Sequence, residues 1–89
     1  MTFEELSEAT LLYPNPANNE ITIELSEQIQ KATIIISNAI GQSVYEEIVY
    51  PVAATKTLKQ IDVSNYAKGV YTVSIENKGV KAIKKLVIY

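Results

Sequence analysis

Residues 71–75 alternate without a break: Tyr71, Val73 and Ile75 fall on one side of an extended chain, Thr72 and Ser74 on the other. That period of two belongs to a strand with one buried face. The residues before it narrow the fold further. Asp62-Val63-Ser64-Asn65-Tyr66-Ala67-Lys68-Gly69 is a polar connection that predicts a single helical turn with Ser64 as its N-cap. Gly69 stands where the chain must reverse with a positive φ, which costs glycine little. A glycine two residues ahead of an inward tyrosine suggests a tyrosine corner, in which a buried ring sends its hydroxyl back to the preceding backbone. Such corners belong to Greek-key sandwiches. The expected fold is therefore an all-β, immunoglobulin-like Greek-key β-sandwich of about seven antiparallel strands.

The rest of the chain supplies the other strands. Residues 20–25 alternate as cleanly, with Ile21, Ile23 and Leu25 inward. Ile34-Ile35-Ile36 suits a central strand, with Ala32, Ile34 and Ile36 in the core and Ile35 outward. Residues 38–42 read as a hairpin loop closed by Gly41, and 43–49 as the returning strand with Val44 and Ile48 in the core. Residues 50–54 form a loop broken by Pro51, and 57–63 a strand with Ile61 and Val63 inward. Asn77-Lys78-Gly79 reads as a three-residue hairpin loop with Gly79 left-handed, and 82–89 as the last strand. Near the start, Leu11, Leu12 and Tyr13 run into Pro14-Asn15-Pro16. Two prolines remove two donors, so this segment can only be an edge strand that then leaves the sheet. Residues 1–10, acidic and without alternation, are expected to be a linker tail rather than a short helix.

The 89 residues make one domain, burying roughly 60–65% of its unfolded surface. A net charge of −2 argues against a nucleic-acid partner, which needs a basic face. No apolar run approaches the ~20 residues that span a bilayer. The chain does not open on a basic-then-apolar leader, so if the protein is exported its signal is expected to lie outside this chain or to be of another kind. Histidine and cysteine are absent, which removes the commonest bases, nucleophiles and soft metal ligands. Glu46 and Glu47 are adjacent on a strand and point apart, wrong for a paired acid and base. No enzyme activity and no cofactor are expected. Asn15, Asn18, Asn19 and Glu20 could offer oxygens to calcium but read as turn residues. Tyr50 and Tyr66 could form a carbohydrate platform but read as packing residues. Lys84-Lys85 reads, on physics alone, as protection of a sheet edge.

Taken in order, Tyr13-Pro14-Asn15-Pro16-Ala17, the 36–42 segment with Gly41, the corner from Asp62 through Gly69 to Tyr71, and Lys84-Lys85-Leu86-Val87-Ile88 at the chain end resemble one family. This is the C-terminal sorting domain of type IX secretion cargo proteins in Bacteroidetes-type bacteria, also called the Por secretion system C-terminal domain. The resemblance spans residues 11–89 and leaves 1–10 as linker from a larger parent. It implies a domain attached behind a cargo domain, recognised by the outer-membrane type IX translocon and then removed by a cell-surface sortase. The cargo would reach the cell surface or the medium through the periplasm. By the same resemblance, Lys84, Lys85, Leu86, Val87 and Ile88 are the recognition region. Tyr13, Pro14, Asn15, Pro16, Gly41, Asp62, Gly69 and Tyr71 are structural motif positions, Pro14-Asn15-Pro16 being the motif that ends the linker. Cleavage is expected upstream of that motif. Many family members carry a further charged residue after the apolar run, whereas this chain stops at Tyr89.

The physics of a terminal strand agrees with an address. A receptor can add its own strand to a free edge and read alternate side chains. A free edge could also pair with a second copy. The competing reading is an immunoglobulin- or fibronectin-like accessory module that binds polysaccharide or spaces domains.

Overall fold

Two antiparallel sheets face each other across one apolar core in the computed structural model, which describes residues 1–52 and 55–89. The strands are β1 (Thr10–Tyr13), β2 (Glu20–Leu25), β3 (Ala32–Ser37), β4 (Ser43–Val49), β5 (Thr57–Asp62), β6 (Gly69–Asn77) and β7 (Val80–Ile88). One sheet has the order β1-β2-β5 and the other β4-β3-β6-β7. The chain changes sheet after β2, β4 and β5, which is the expected immunoglobulin-like Greek-key wiring. Ala53 and Ala54, part of the loop expected after Pro51, lie outside the described residues.

Side-chain alternation decides the core. Ile21, Ile23 and Leu25 of β2, Ala32, Ile34 and Ile36 of β3, and Tyr71, Val73 and Ile75 of β6 are all buried. Ile61 and Val63 join them. The Tyr71 hydroxyl donates to the carbonyl of Ala67 at 2.6 Å, so the corner is formed. The Tyr66 ring leans on Tyr71, 5.7 Å between centroids and tilted by 39°. Gly69 opens β6 at φ 153°, a conformation that a side chain rarely adopts.

Four local expectations are corrected. Val44 and Ile48 point outward, and Tyr45 and Val49 pack on the core instead. Opposed residues of a sheet share a face, and the register pairs inward Ile36 with Tyr45 and Ala32 with Val49. A shift between Ile36 and Ser37 leaves Val44 as the extra residue of a bulge, and Ile48 faces out because the inward position beside it is taken by Glu47, held by Lys59 and Tyr45. Ser64 is not an N-cap, because residues 63–68 form turns rather than a helix. The Asp62 carboxylate instead accepts the Ser64 backbone N–H at 2.9 Å. The last hairpin turns on Lys78 and Gly79 alone, both with positive φ, because Asn77 already pairs with Val80.

The fourth correction concerns residues 1–10. Residues Phe3–Glu8 form a helix, α1, rather than a tail. Thr2 caps it, and Glu5 returns the bond to the Thr2 N–H in a capping box. Leu6 is fully buried, and Thr10 is buried at the start of β1. The helix lies along β7, closing the side of the sandwich where the three-stranded sheet has no fourth strand. The opposite side is closed by an ion pair between Lys59 of β5 and Glu47 of β4, at 2.8 Å.

Two substitutions test these anchors. Tyr71→Phe is expected to lower stability by about 1 kcal/mol, the worth of one part-buried hydrogen bond, in urea unfolding. Leu6→Ala is expected to cost about 2–5 kcal/mol if α1 belongs to the core, whereas exposed Phe3→Ala changes the midpoint little.

Candidate functional site

β7 is the last strand of its sheet, so only β6 pairs with it along its length. The pairing runs without a shift from Asn77 opposite Val80 to Gly69 opposite Ile88. Leu86 and Ile88 therefore point into the core, opposite Tyr71 and Gly69 in register. Lys85 is exposed on the outer face, and Val87 beside it is half-buried. Lys84 turns inward, where its ammonium donates to the Ser7 carbonyl of α1 at 3.0 Å and lies 3.4 Å from the Ser7 hydroxyl. The two neighbouring lysines thus have different surroundings: Lys84 is tied to the helix and Lys85 faces solvent.

The outer edge of β7 is not free at its end. Asn15 reaches it with its side chain: Nδ2 donates to the Lys85 carbonyl at 2.7 Å, and Oδ1 accepts the Val87 N–H at 3.0 Å. Ala17 continues the contact as a parallel bridge. Its N–H donates to the Val87 carbonyl at 2.9 Å, and its carbonyl accepts the Tyr89 N–H at 3.0 Å. Prolines at 14 and 16 explain why a side chain does this work, since neither has a backbone N–H to give. An asparagine amide sets an N–H donor beside a C=O acceptor, as the backbone of a paired strand residue does, so Asn15 stands in for a strand residue. Pro14-Asn15-Pro16-Ala17 is a clasp on the terminal strand. Tyr13, just before it, ends β1 with its hydroxyl 3.4 Å from Glu24.

The other motif positions lie away from this clasp. Gly41 sits in the β3–β4 loop at φ 86°, where the Asn38 side-chain oxygen accepts the N–H groups of Ile40 and Gln42. That loop and the corner residues 67–71 line a shallow cleft of about 280 Å³. Asp62 and Gly69 bound the corner. Hydrogen bonds from the Ser64 side chain and then its backbone hold the Asp62 carboxyl below its ordinary value. Glu47 is lowered by its bonds to Lys59 and Tyr45, and burial followed by the Glu47 acceptor pushes the Tyr45 phenol up. The residues weighed for calcium are otherwise engaged in part, since the Asn15 oxygen serves Val87 and the Asn19 carbonyl serves Val63. Tyr50 and Tyr66 do not form a platform. Tyr66 is packed on Tyr71 as expected, whereas Tyr50, expected to pack, is exposed just past the end of β4, roughly 20 Å from that strand's start beside the corner.

The sequence did not single out Ser7, and it offered Ala17 only as the end of the Pro-Asn-Pro motif, with no bonding role. Ser7 had no signal of its own. Ala17 had an indirect one, because a donor-poor Pro-Asn-Pro segment needs a backbone group nearby to complete any edge pairing.

Comparison with known proteins follows the same boundaries. Residues 11–89 match the family model described as "Secretion system C-terminal sorting domain". The chain is also 30% identical over 84 residues to Beta-agarase A of Zobellia galactanivorans, an alignment covering 93% of this chain and 15% of that relative. The chain thus corresponds to a small part of a much longer protein in this relative.

Asn15→Ala is expected to speed hydrogen exchange at the Val87 amide and to lower stability by about 1 kcal/mol. Asn15→Asp keeps the acceptor for Val87 but sets a carboxylate against the Lys85 carbonyl, so it should protect Val87 less than asparagine does. Unchanged Val87 exchange in both variants would contradict the clasp.

Proposed function

The chain belongs to the secretion system C-terminal sorting domain family, and from that premise we propose that β7 is the address by which the outer-membrane type IX translocon recognises an attached cargo. The family is one of sorting signals, not of enzymes. The observation that carries the reading is the way β7 is held. Its inner residues Leu86 and Ile88 are buried, its end is clasped by Asn15 and Ala17, and Lys85 is left exposed beside Val87. A recognition strand that must be read by a receptor benefits from such a fixed register, because pre-ordering lowers the entropic cost of binding. In this reading Lys85 and Val87 meet the receptor. Lys84, Leu86 and Ile88 keep the strand in place, and the corner at Asp62, Gly69 and Tyr71 and the loop at Gly41 act as scaffold.

A cell-surface sortase then releases the domain from its cargo. The packing of Leu6 and Thr10 shields the backbone near them, so the accessible bond lies upstream of α1. The cargo passes through the periplasm to the surface or the medium. An accessory role in polysaccharide binding is less well supported, since Tyr66 is packed against the corner rather than presented.

The test is export of a reporter carrying a signal peptide and fused ahead of this chain, in a host with the secretion system. Full export is expected with the intact chain. Deleting residues 86–89 is expected to trap the reporter in the periplasm, and Lys85→Ala to reduce its release. Export that survives the deletion would remove the address from β7.

A further inference from the structure

The clasp covers only the end of the β7 edge. Along a strand, N–H and C=O groups point alternately toward one neighbour and the other. Val87 and the Lys85 carbonyl point outward, to Asn15 and Ala17. The same alternation turns the N–H and C=O of Lys81 and Ile83, and the N–H of Lys85, to the outer edge. Among the described residues no hydrogen bond reaches any of these groups. The helix α1 makes no polar contact with them, since the bonds between α1 and β7 run from the inward Lys84 ammonium to Ser7. A stretch of edge whose outward groups have no hydrogen-bond partner among the described residues therefore lies immediately before the clasp.

The side chains beside this edge form a short pattern. Lys81, Ile83 and Lys85 all stand on the outer face, and Ile83 is 58% exposed. The ion pairs among the described residues are Lys56–Glu24 and Lys59–Glu47, so neither Lys81 nor Lys85 is paired with a carboxylate. Thr72 stands across β6 from Lys85, and Glu76 across from Lys81. Resting on the reading of β7 as an address, we propose that residues 81–85 are a strand-addition site for an extended partner segment with an acidic–apolar–acidic alternation. Its backbone would bond the outward groups of Lys81, Ile83 and Lys85. Its two carboxylates would lie opposite the two lysines, and its apolar residue opposite Ile83. A second copy of this chain fits poorly. Antiparallel pairing centred on Ile83 sets Lys81 of each copy opposite Lys85 of the other, like charge against like charge. The clasp gives the site its limit, because an added strand that ran past Lys85 would collide with Asn15.

The probe is the N-acetylated, C-terminally fluorescently labelled peptide Glu-Thr-Val-Thr-Glu-Thr, whose first glutamate lies opposite Lys85 so that nothing runs past it, titrated against the whole chain, with Lys-Thr-Val-Thr-Lys-Thr as the charge-reversed control. The acidic peptide is expected to bind saturably and the control not to bind. Amides of Lys81, Ile83 and Lys85 should exchange quickly in the free chain and slow by about tenfold or more in the complex. Ile83→Pro removes an outward donor without touching the bonds to β6, and should abolish binding. Lys81→Glu with Lys85→Glu should weaken it about tenfold or more while preserving the fold. Slow exchange of these amides in the free chain, equal binding of both peptides, binding that survives Ile83→Pro, or self-association in place of peptide binding overturns the proposal. In the reporter assay, Ile83→Pro should stop export. If it does not, while deletion of residues 86–89 does, strand addition here is refuted and the sorting reading stands. If the deletion leaves export intact, the sorting reading itself fails.

Discussion

Tyr71, Val73 and Ile75 press the inner face of β6 into the core, and β6 is the strand to which both β3 and β7 are bonded. Its position is fixed at one end by the bond from the Tyr71 hydroxyl to the Ala67 carbonyl. In an antiparallel pair a slip of one residue turns every side chain to the other face. Holding β6 therefore holds β7: a slip would drive Lys85 into the core and put Leu86 in water. The burial of three side chains on one strand thus decides which residues of its neighbour are presented.

A sandwich of three strands against four has two unequal sides, and this chain closes them by different means. On the β4–β5 side the Lys59–Glu47 pair bridges the sheets, with Tyr45 donating to the same carboxylate. Such a half-exposed pair contributes at most about 1 kcal/mol, so it serves chiefly to fill an edge that a lone glutamate could not. On the β7 side α1 does more, burying Leu6 and taking up the Lys84 ammonium. The Pro14–Ala17 clasp then covers the end of the same strand. These contacts leave one segment, around Ile83, where the sheet ends in open backbone between two cations.

That arrangement has a cost and a use. Open edges invite aggregation, and lysines flanking the edge are a common protection against it. Under the strand-addition proposal the same lysines also select what can be added, favouring a strand of opposite charge over a copy of the chain. On the proposed reading, edge protection and selective recognition would follow from one placement of charge at Lys81 and Lys85.

Much of this was readable in the residues themselves. The alternation of 20–25 and 71–75, the β-branched run at 34–36 and the glycine ahead of Tyr71 report local geometry, because a side chain's face in a strand depends only on its parity. The family resemblance drew on the same local motifs. Val44 and Ile48 misled because the inward positions of β4 are Tyr45, Glu47 and Val49, and a glutamate turned inward onto Lys59 and Tyr45 breaks the apolar pattern that would have marked that face. The helix was partly legible, since Thr2 and Glu5 have the spacing of a capping box, but whether so short a helix persists depends on Leu6 finding a core. The role of Asn15 was not legible at all. Its partners lie 70 and 72 residues away, and nothing local records which edge a clasp will meet. The sequence by itself determined which faces are apolar, where the chain turns and which family it resembles. Only the tertiary structure decided which lysine is tied down, which edge is covered and which backbone groups remain open. Those depend on the contacts between distant segments that folding brings together.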